Sequence, residues 1–363
     1  MTALFALLSA CTSTPADPPD VKGPYDVGTT TLEVVDPRGK PLTIEVWYPS
    51  LPDQGEPSPY PPTILTFDAV RDAEPVVPES PWPLVAFSHG HVAIRYQSAF
   101  LTEHLATHGF VVVAPDHTKD TLLDVDESDI ARILLERPDD VRYAIDAAIE
   151  AALEPGLLNG LIADGPYAMT GHSFGALTAL IVGGGDVDLQ GAIDECADGG
   201  GTNRVCDLIT PEVAQAAAGY GTADDRVVAT VAMSPFAWYA FRDRGAGLAS
   251  VRKPLVLAGE LDEVTEYADE IVPVFENLGS PRKMLEFERA GHYSFSDICL
   301  LVPALFPECD PDAGFQDLAE VQRLTRQAVT AYLKVELAGD DRYTEWVEPD
   351  GYVDVPEVQL RSE

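Results

Sequence analysis

Short runs of uninterrupted apolar residues alternate with segments of helical periodicity along most of the chain. A strand that is buried on both faces has such a continuous run, whereas a strand with one face in water alternates apolar and polar residues. The pattern therefore predicts an α/β fold in which a mostly parallel central sheet is covered by helices on both faces. The predicted strands are WPLVAFSHG (82–90), FVVVAPDH (110–117), YAMTGHS (167–173), VVATVAMSP (227–235), PLVLAGELD (254–262) and MLEFERAGH (284–292). The predicted helices cover residues 96–108, 130–153, 174–184, 267–278 and 318–337.

Two regions depart from this alternation. Residues 30–35 and 42–48 alternate apolar and polar side chains on either side of the turn at 36–39, which predicts a β-hairpin. Residues 185–225 are rich in Gly and Asp and separate two predicted strands. We interpret them as a cap-like insertion over the carboxyl edge of the sheet, so the prediction is a single α/β domain over residues 23–363.

The charge of the chain argues against some classes of partner. Its 363 residues are 46% apolar, which is ample for a buried core. Asp and Glu number 60 against 23 Lys and Arg, so the formal net charge is −37. A field of this sign repels phosphate and argues against nucleic acid or an anionic bilayer as the partner. No apolar segment reaches the roughly 18 residues that a membrane span needs.

The N-terminal segment MTALFALLSAC resembles a bacterial lipobox, in which a signal peptidase cuts before a cysteine that becomes lipid-modified, here Cys11. The residues that follow are rich in Pro and Asp and are typical of a tether. We therefore predict a lipoprotein-type signal and tether over residues 1–22, and an exported protein that is anchored at the cell envelope or secreted. An ordinary cytosolic N-terminus that carries a cysteine is the alternative, and the missing basic segment favours it.

The other cysteines form two close pairs, Cys196 with Cys206 and Cys299 with Cys309. An even number at short spacing is typical of disulfides in an oxidising compartment. A zinc site is the competing interpretation, but it would need CxxC spacing and nearby histidines, which neither pair has. We predict two disulfide bonds.

One motif indicates a catalytic nucleophile. Residues 171–175, GHSFG, match the pattern GxSxG, with an apolar strand directly before them and a helix of small residues directly after. This context is the strained strand–turn–helix arrangement that presents a serine hydroxyl above the edge of a sheet. Ser173 is the predicted nucleophile, and a fortuitous glycine-rich turn is the alternative.

A serine hydroxyl needs a base to remove its proton, and the base needs an acid to hold its tautomer. In this arrangement the acid and then the base follow the nucleophile, each after a strand. His292 comes after the last predicted strand and is the predicted base. The preceding strand ends in GELDE, where Asp262 stands at the usual offset and is the predicted acid. Glu260 and Glu263 remain alternatives, although such loop carboxylates are more often solvated.

The negative charge that develops on a substrate oxygen needs two N–H donors. The N–H of Phe174, directly after the nucleophile, is one predicted donor, and that of His91, in the turn after the strand 82–90, is the other. His89, His91 and His172 lie beside these turns, where we expect them to brace the loops or line the pocket. Their spacing does not favour a metal site, and no cofactor is predicted.

Aromatic residues are frequent in the segments predicted to surround these side chains. Phe236 and Trp238 follow the strand 227–235, and Tyr293 and Phe295 follow the predicted base. We predict that they form the wall of an apolar substrate pocket with few polar groups. The alternative is that Phe236 and Trp238 pack as core beneath the insertion.

The segments VAFSHGHVAIRYQSAFLTEHLATHGFVVVAPDH, TGHSFGALTAL and AGHYSFSD resemble the platelet-activating factor acetylhydrolase and dienelactone-hydrolase-like branch of the α/β-hydrolases. The likeness runs over most of residues 25–345. It implies a calcium-independent serine esterase that cleaves short or oxidised acyl chains from phospholipid-like esters. Carried over by position, it assigns the nucleophile to Ser173, the base to His292 and the oxyanion donors to His91 and Phe174.

The chain departs from this resemblance in two places. Dienelactone hydrolases use a cysteine nucleophile, so the serine makes that substrate unlikely for this chain. In animal acetylhydrolases the acid follows the strand after the nucleophile helix, where this chain has VAMSPFAW without a carboxylate. The acid therefore falls to Asp262, and strict acetylhydrolase specificity is not expected.

These observations predict a carboxylic-ester hydrolase that forms an acyl-enzyme and acts on a small-molecule or lipid ester. Membrane contact is expected only through a lipid anchor at Cys11. A polyester or cutinase-like hydrolase and a peptidase on the same fold are the alternatives, because one fold hosts many reactions. A binding protein that has kept the fold without catalysis is a third.

Overall fold

The computed structural model describes residues 16–61, 63, 65–199, 206, 209–217 and 223–363. Within this part of the chain a ten-stranded sheet has the order β10-β9-β8-β7-β6-β4-β5-β2-β1-β3. Its strands are β1 (Asp26–Val35), β2 (Pro41–Ser50), β3 (Val70–Arg71), β4 (Leu84–Ser88), β5 (Val111–Pro115), β6 (Tyr167–His172), β7 (Val227–Met233), β8 (Pro254–Gly259), β9 (Lys283–Phe287) and β10 (Val358–Ser362).

Helices connect most of these strands. The α-helices of the described residues are α1 (Ala99–Thr107), α2 (Ile130–Leu153), α3 (Phe174–Val182), α4 (Leu189–Ala197), α5 (Pro211–Ala217), α6 (Val272–Asn277), α7 (Ile298–Leu301) and α8 (Leu318–Glu336). Short 3₁₀ turns cover Glu127–Asp129, Trp238–Ala240, Ala246–Ser250, His292–Phe295, Pro303–Leu305, Pro307–Cys309, Asp341–Val347 and Pro349–Tyr352. A π-helical turn, Tyr267–Ile271, leads directly into α6.

The centre of the sheet is parallel. Each neighbouring pair from β9 through β8, β7, β6 and β4 to β5 is parallel. The β1–β2 hairpin joins β5 in antiparallel pairing, and β10 does the same at β9. Because parallel strands point the same way, the loops after β4, β6, β8 and β9 all leave at one edge of the sheet. That edge carries the candidate site.

Both faces of the sheet are buried against helices. Val85 and Phe87 of β4 belong to the same apolar cluster as residues of α1 and α8. Their neighbours Leu84 and Ala86 lie in a cluster with residues of α2 on the opposite face. Alternate side chains of one strand thus enter two cores, which is why its sequence is apolar throughout. The predicted α/β fold with a mostly parallel, doubly covered sheet is confirmed.

Most predicted elements are present with small changes at their ends. The hairpin is longer than predicted, and the predicted helix 267–278 is the π-helical turn followed by α6. The edge strand β10 was not predicted from the sequence. Its residues alternate buried Val358 and Leu360 with more exposed neighbours, a signal that is only a few residues long.

The end of the predicted tether contacts the domain. His104 of α1 and His108, the residue that caps its C-terminus, approach the carbonyl oxygens of Pro19 at 2.8 Å and Val21 at 2.9 Å. Asp20 forms a 2.6 Å ion pair with Arg323 of α8. These contacts satisfy buried imidazoles, so residues 19–21 pack against the domain although they lie in the predicted tether. Cys11 lies outside the described residues.

Both predicted disulfides are bonded in the structure. The bond between Cys196 and Cys206 joins two residues of the predicted insertion, and their Cα atoms are 5.5 Å apart. The bond between Cys299 and Cys309 closes the segment after the predicted base, with a Cα separation of 5.3 Å. The described part of the insertion holds α4 and α5 between α3 and β7. A search of the described residues finds no helix that is long and apolar enough to cross a membrane.

Candidate active site

Ser173 occupies the turn between β6 and α3, where its backbone has φ 56° and ψ −119°. A non-glycine residue rarely adopts a positive φ, and such strain is concentrated at functional sites. The flanking glycines permit the turn, since a Cβ on Gly175 would lie 1.8 Å from the Ser88 carbonyl oxygen. A Cβ on Gly171 would lie 2.2 Å from the carbonyl oxygen of Gly175. The GxSxG spacing is therefore a packing requirement of this turn.

His292 and Asp262 reach Ser173 from the loops after β9 and β8. His292 Nε2 lies 2.9 Å from Ser173 Oγ, and His292 Nδ1 lies 2.8 Å from Asp262 Oδ2. His292 and Asp262 are buried, whereas Ser173 is partly exposed. When Nδ1–H donates to the carboxylate, the Nε2 lone pair faces the serine hydroxyl and can accept its proton.

Backbone and hydroxyl donors hold the Asp262 carboxylate in place. Its Oδ1 accepts the N–H of Val264 at 2.9 Å and of Thr265 at 2.8 Å, and its Oδ2 accepts the Thr265 hydroxyl at 2.9 Å. Burial raises the pKa of Asp262, but the hydrogen bond and charge of His292 and the Thr265 N–H outweigh it. The pKa is therefore below its ordinary value, and the carboxylate is ionised at neutral pH.

The two alternative acids have a different environment. Glu260 and Glu263 are exposed, in the same loop as the buried Asp262. Burial, together with the charges of Glu286 and Glu288, raises the pKa of Glu260. Of the three carboxylates, Asp262 is the one in hydrogen-bond contact with His292.

A glutamine that the sequence did not single out connects three loops of the site. Gln97, just before α1, accepts the N–H of Gly90 through Oε1 at 2.5 Å, and its Nε2 lies 2.5 Å from His172 Nδ1. The other ring nitrogen of His172 lies 2.8 Å from the carbonyl oxygen of His292. Burial and the neighbouring His292 lower the pKa of His172 to about 3, so the ring is neutral and links Gln97 to the base loop. A polar residue beside a helix gives no sequence signal for this role.

The two predicted oxyanion donors belong to segments that meet at Ser173. Phe174 is the first residue of α3, where the helix has no acceptor for its N–H. His91 follows Gly90, and a Cβ placed on Gly90 would lie 3.4 Å from Ser173 Cβ. The loop after β4 is thus close to van der Waals range of Ser173.

Aromatic rings occur in the segments that directly follow Ser173, β7 and His292. The rings of Phe174 and Phe236 are stacked with centroids 6.1 Å apart. Trp238 is half-buried and donates its indole N–H to the Asp269 carbonyl oxygen at 3.1 Å. The Tyr293 ring lies 5.0 Å from that of His292.

The Phe295 side chain does not lie among these rings at the site. Its side chain is 0% exposed, and its ring packs 5.7 Å from that of Phe287 in the core. The prediction that Phe295 lines the pocket is therefore wrong in this structure. The short 3₁₀ turn after His292 leaves Tyr293 partly exposed and directs Phe295 inward.

Among the described residues no group of three or more His, Cys, Asp or Glu side chains is arranged to hold a metal ion. The histidines near the turns have protein partners instead. His89 Nε2 accepts the N–H of His117 at 3.0 Å, and His91 Nδ1 lies 2.6 Å from Asp120 Oδ1. These imidazoles brace the loops, as expected from the sequence.

The structure is similar to a ferulic acid esterase from Streptomyces cinnamoneus, with a TM-score of 0.62 over 96% of this chain and 98% of that chain. The chain has the α/β-hydrolase fold. Sequence identity to that esterase is 22%, so the likeness concerns the fold.

Other comparisons cover less of the molecule. The family model described as "Platelet-activating factor acetylhydrolase, isoform II" matches residues 63–123. This segment includes His91 and the loop after β4 but ends before Ser173. A comparison with curated proteins gives no match.

Proposed function

We propose that this α/β-hydrolase is a serine carboxylic-ester hydrolase of the platelet-activating factor acetylhydrolase-like branch. The observation that carries the proposal is the chain of hydrogen bonds from Ser173 Oγ through His292 to Asp262, with distances of 2.9 and 2.8 Å. Its nucleophile sits on a strained turn at the carboxyl edge of a parallel sheet, the setting in which this fold carries out acyl transfer. The partial family match over residues 63–123 supports the assignment.

The reaction proceeds in two similar halves. Ser173 Oγ attacks the ester carbonyl carbon while its proton moves to His292 Nε2, and Asp262 stabilises the imidazolium. The oxyanion accepts hydrogen bonds from the N–H groups of Phe174 and His91. The tetrahedral intermediate then expels the alcohol, which takes the proton from His292 and leaves an acyl-serine. Water attacks this ester with His292 again as base, which releases the acid and restores the serine.

The substrates that fit best are short-chain or phospholipid-like esters. The resemblance of the loops favours this class, and the side of the site formed by Phe236, Trp238 and Tyr293 offers apolar surface to an acyl or leaving group. A peptide would find few polar partners on this wall.

An ester with an aromatic acyl group is a second candidate substrate. The stacked Phe174 and Phe236 rings and the half-buried Trp238 favour it, because aromatic groups pack well in offset-stacked and edge-to-face arrangements. The structural neighbour is by its title a ferulic acid esterase, which agrees with such a substrate.

The proposed location is outside the cytoplasm. Two disulfides are typical of proteins that fold in an oxidising compartment. We extend this to an anchored or secreted protein with lipidation at Cys11, which mass spectrometry of the N-terminal peptide tests.

A fluorophosphonate probe tests the proposed nucleophile directly. The Oγ–P bond forms, fluoride leaves, and the serine proton passes to the base, so the label should appear on the peptide that contains Ser173. The exposed Ser128 serves as the control variant, since Ser128→Ala should label like the wild type. Label on another residue, or none on a folded protein, contradicts the proposal.

An ester panel tests the substrate class. We expect p-nitrophenyl acetate and butyrate, and aryl esters with a short linker, to be hydrolysed faster than p-nitrophenyl palmitate. The matched anilides should be slower still, because the pocket offers little to hold a peptide-like group. A preference for long-chain triglycerides or for amides would contradict the assignment.

A further inference from the structure

Arg137 of α2 is a fully buried cation between the two segments that carry the proposed oxyanion donors. Its guanidinium donates to the carbonyl oxygen of His89, in the loop after β4, and to the carboxylate of Asp120. On the other side, Nε donates to Thr178 Oγ1 of α3 at 3.2 Å, and the guanidinium carbon lies 4.7 Å from the centre of the Phe174 ring. One side chain thus contacts both segments of the proposed oxyanion hole, the loop after β4 and the first turns of α3.

The peptide that bears the His91 N–H is held through its carbonyl group. His89 Nδ1 lies 2.7 Å from the carbonyl oxygen of Gly90, and His89 Nε2 accepts the N–H of His117. Burial, with the neighbouring His117 and Arg137, lowers the pKa of His89 well below its usual range. The neutral ring has one N–H, which fits a donor at Nδ1 and an acceptor at Nε2. Because the C=O of Gly90 and the N–H of His91 point in opposite directions on one planar peptide, the bond to Gly90 sets the direction of the N–H.

Asp120 holds the next residues of the same loop. Its Oδ1 accepts from His91 Nδ1 at 2.6 Å and from the N–H of Val92 at 3.1 Å, while Oδ2 accepts from Arg137. Val92 has φ 55°, a strained value for a β-branched residue. Burial raises the pKa of Asp120, but His91 and Arg137 outweigh it and hold the pKa well below its usual range. The ionised carboxylate stabilises a loop conformation that the backbone alone disfavours.

The helix side is held by a shorter path. Thr178 Oγ1 donates to the carbonyl oxygen of Phe174 at 3.0 Å while it accepts from Arg137 Nε. The first turn of α3, which presents the Phe174 N–H, is therefore tied to the same guanidinium as the loop after β4.

We propose that Arg137 is a positioning residue for the oxyanion hole, and that Arg137, Asp120 and His89, here called the oxyanion clamp, fix the two N–H donors relative to each other. The clamp acts on the transition state, because a tetrahedral oxyanion needs both donors at once whereas a ground-state ester needs neither in full. This inference rests on the proposed serine esterase mechanism.

The test compares Arg137→Lys with Arg95→Lys. Arg95 is the matched control, because it is also buried and lies at the far end of the loop after β4, where its guanidinium contacts Glu45 and Asp116 and lies 4.2 Å from the centre of the Tyr96 ring. Lysine keeps the charge but cannot reproduce the planar fork of donors. For each variant we measure the melting temperature, kcat per fluorophosphonate-titrated site, KM for p-nitrophenyl acetate, and the inhibition constant of phenylboronic acid, which forms a tetrahedral adduct on Ser173.

We expect Arg137→Lys to lower kcat per active site by about 10- to 100-fold, less than the loss of a donor itself, with KM changed by less than about twofold. Boronate binding should weaken by a similar factor, since the adduct occupies the same hole. Arg95→Lys should lower the melting temperature but keep kcat within about twofold. A kcat for Arg137→Lys within twofold of the wild type, or an equal loss in both variants, overturns the proposal.

A second variant covers the case in which Arg137→Lys does not fold. Thr178→Val is nearly isosteric and removes only the contacts to Arg137 Nε and the Phe174 carbonyl oxygen. It should lower kcat about 3- to 10-fold at unchanged KM, and an unchanged kcat overturns the proposal. Full activity in Ser173→Ala would instead refute the proposed function itself, so the two failures are distinguishable.

Discussion

The described residues hold two Ser-His-Asp hydrogen-bond chains with nearly the same distances. The first joins Ser173 to His292 and Asp262 at the edge of the sheet. In the second, Ser88 Oγ lies 2.8 Å from His117 Nε2, and His117 Nδ1 lies 3.0 Å from Asp140 Oδ2. The side chains of the second chain are 0% exposed, whereas Ser173 is partly open to solvent.

The two hydrogen-bond chains differ in the charges around them as well as in their exposure. Asp140 also binds Lys40 at 2.8 Å and Arg38 at 2.9 Å, and Arg137 donates to Ser88 Oγ at 3.3 Å. Burial and the charges of Arg137 and Lys40 lower the pKa of His117 well below its usual range. An imidazolium at His117 would therefore be strongly disfavoured, whereas His292 faces the Asp262 carboxylate, which is held by neutral donors of Val264 and Thr265. Residue types and distances alone do not make a nucleophile; the neighbouring charges and the backbone turn decide.

Replacing each serine in turn should give the largest contrast. Ser173→Ala should lower kcat by about 10⁴-fold or more, because the reaction loses its nucleophile while the turn tolerates alanine. Ser88→Ala should retain at least a thousandfold more activity than Ser173→Ala and should lose stability instead, because His117 and Arg137 lose a buried partner. The kcat values for p-nitrophenyl acetate and urea unfolding midpoints measure both effects.

The outcome that breaks the comparison is a Ser88→Ala variant as inactive as Ser173→Ala although its unfolding midpoint is unchanged. Such a result would move the chemistry to the buried chain.

The acids should show the next largest contrast. Asp262→Asn should lower kcat by about 10³- to 10⁴-fold, because the amide no longer holds the tautomer in which His292 Nε2 accepts the proton. Glu260→Gln, in the same loop, should change kcat by less than about threefold because its side chain lies in solvent. A severe loss in Glu260→Gln with a mild one in Asp262→Asn would assign the acid to Glu260.

The two Ser-His-Asp hydrogen-bond chains also differ in how far they could be predicted from the sequence. Ser173, Asp262 and His292 follow strands in a fixed order, so their patterns in the sequence pointed to residues that the structure brings within hydrogen-bond distance. The central sheet could be predicted equally well, since a strand buried on both faces must be apolar throughout.

The supporting residues carried no such pattern. Gln97 and Arg137 are polar residues within predicted helical segments, and which way a long side chain points depends on tertiary packing. The inward turn of Phe295 has the same origin, because a 3₁₀ turn after the base, rather than a regular element, sets its direction. The edge strand β10 was too short for its alternation to stand out.

The pH dependence of stability should distinguish the buried chain at His117 from the proposed catalytic chain at His292. The pKa of His117 is lowered in the folded protein, so the unfolded state binds more protons once the pH falls below the ordinary histidine value of about 6.5. Its contribution to stability is therefore present above about pH 6.5 and is lost as the pH falls. The loss should approach about 1.4 kcal/mol per pH unit, from the linkage relation for one proton.

The measurement is the difference in unfolding free energy between wild type and His117→Gln from pH 8 to pH 5. Taking the difference cancels the titration of groups that both proteins share. The gap should narrow as the pH falls below about 6.5, because only the wild type has this histidine to protonate on unfolding. A gap that is constant with pH would mean that His117 binds its proton as readily in the folded protein as in the unfolded one, and the electrostatic contrast between the two chains would not hold.

The smallest expected effect concerns the binding of substrate near Ser173. Trp238 is half-buried in the segment after β7, where Phe236 stacks on Phe174 next to Ser173, whereas the side chain of Ser88 is fully buried. Trp238→Ala should raise KM for aryl esters by about three- to tenfold and change kcat by less than about twofold, because an apolar wall binds ground and transition states alike. Trp238→Phe is the matched control. Its KM should fall between those of the wild type and Trp238→Ala, since it keeps an aromatic face but loses the hydrogen bond to the Asp269 carbonyl. A fall in kcat at constant KM would instead mean that Trp238 stabilises the transition state. The aromatic residues near Ser173 would then contribute to the reaction itself and not only to substrate binding.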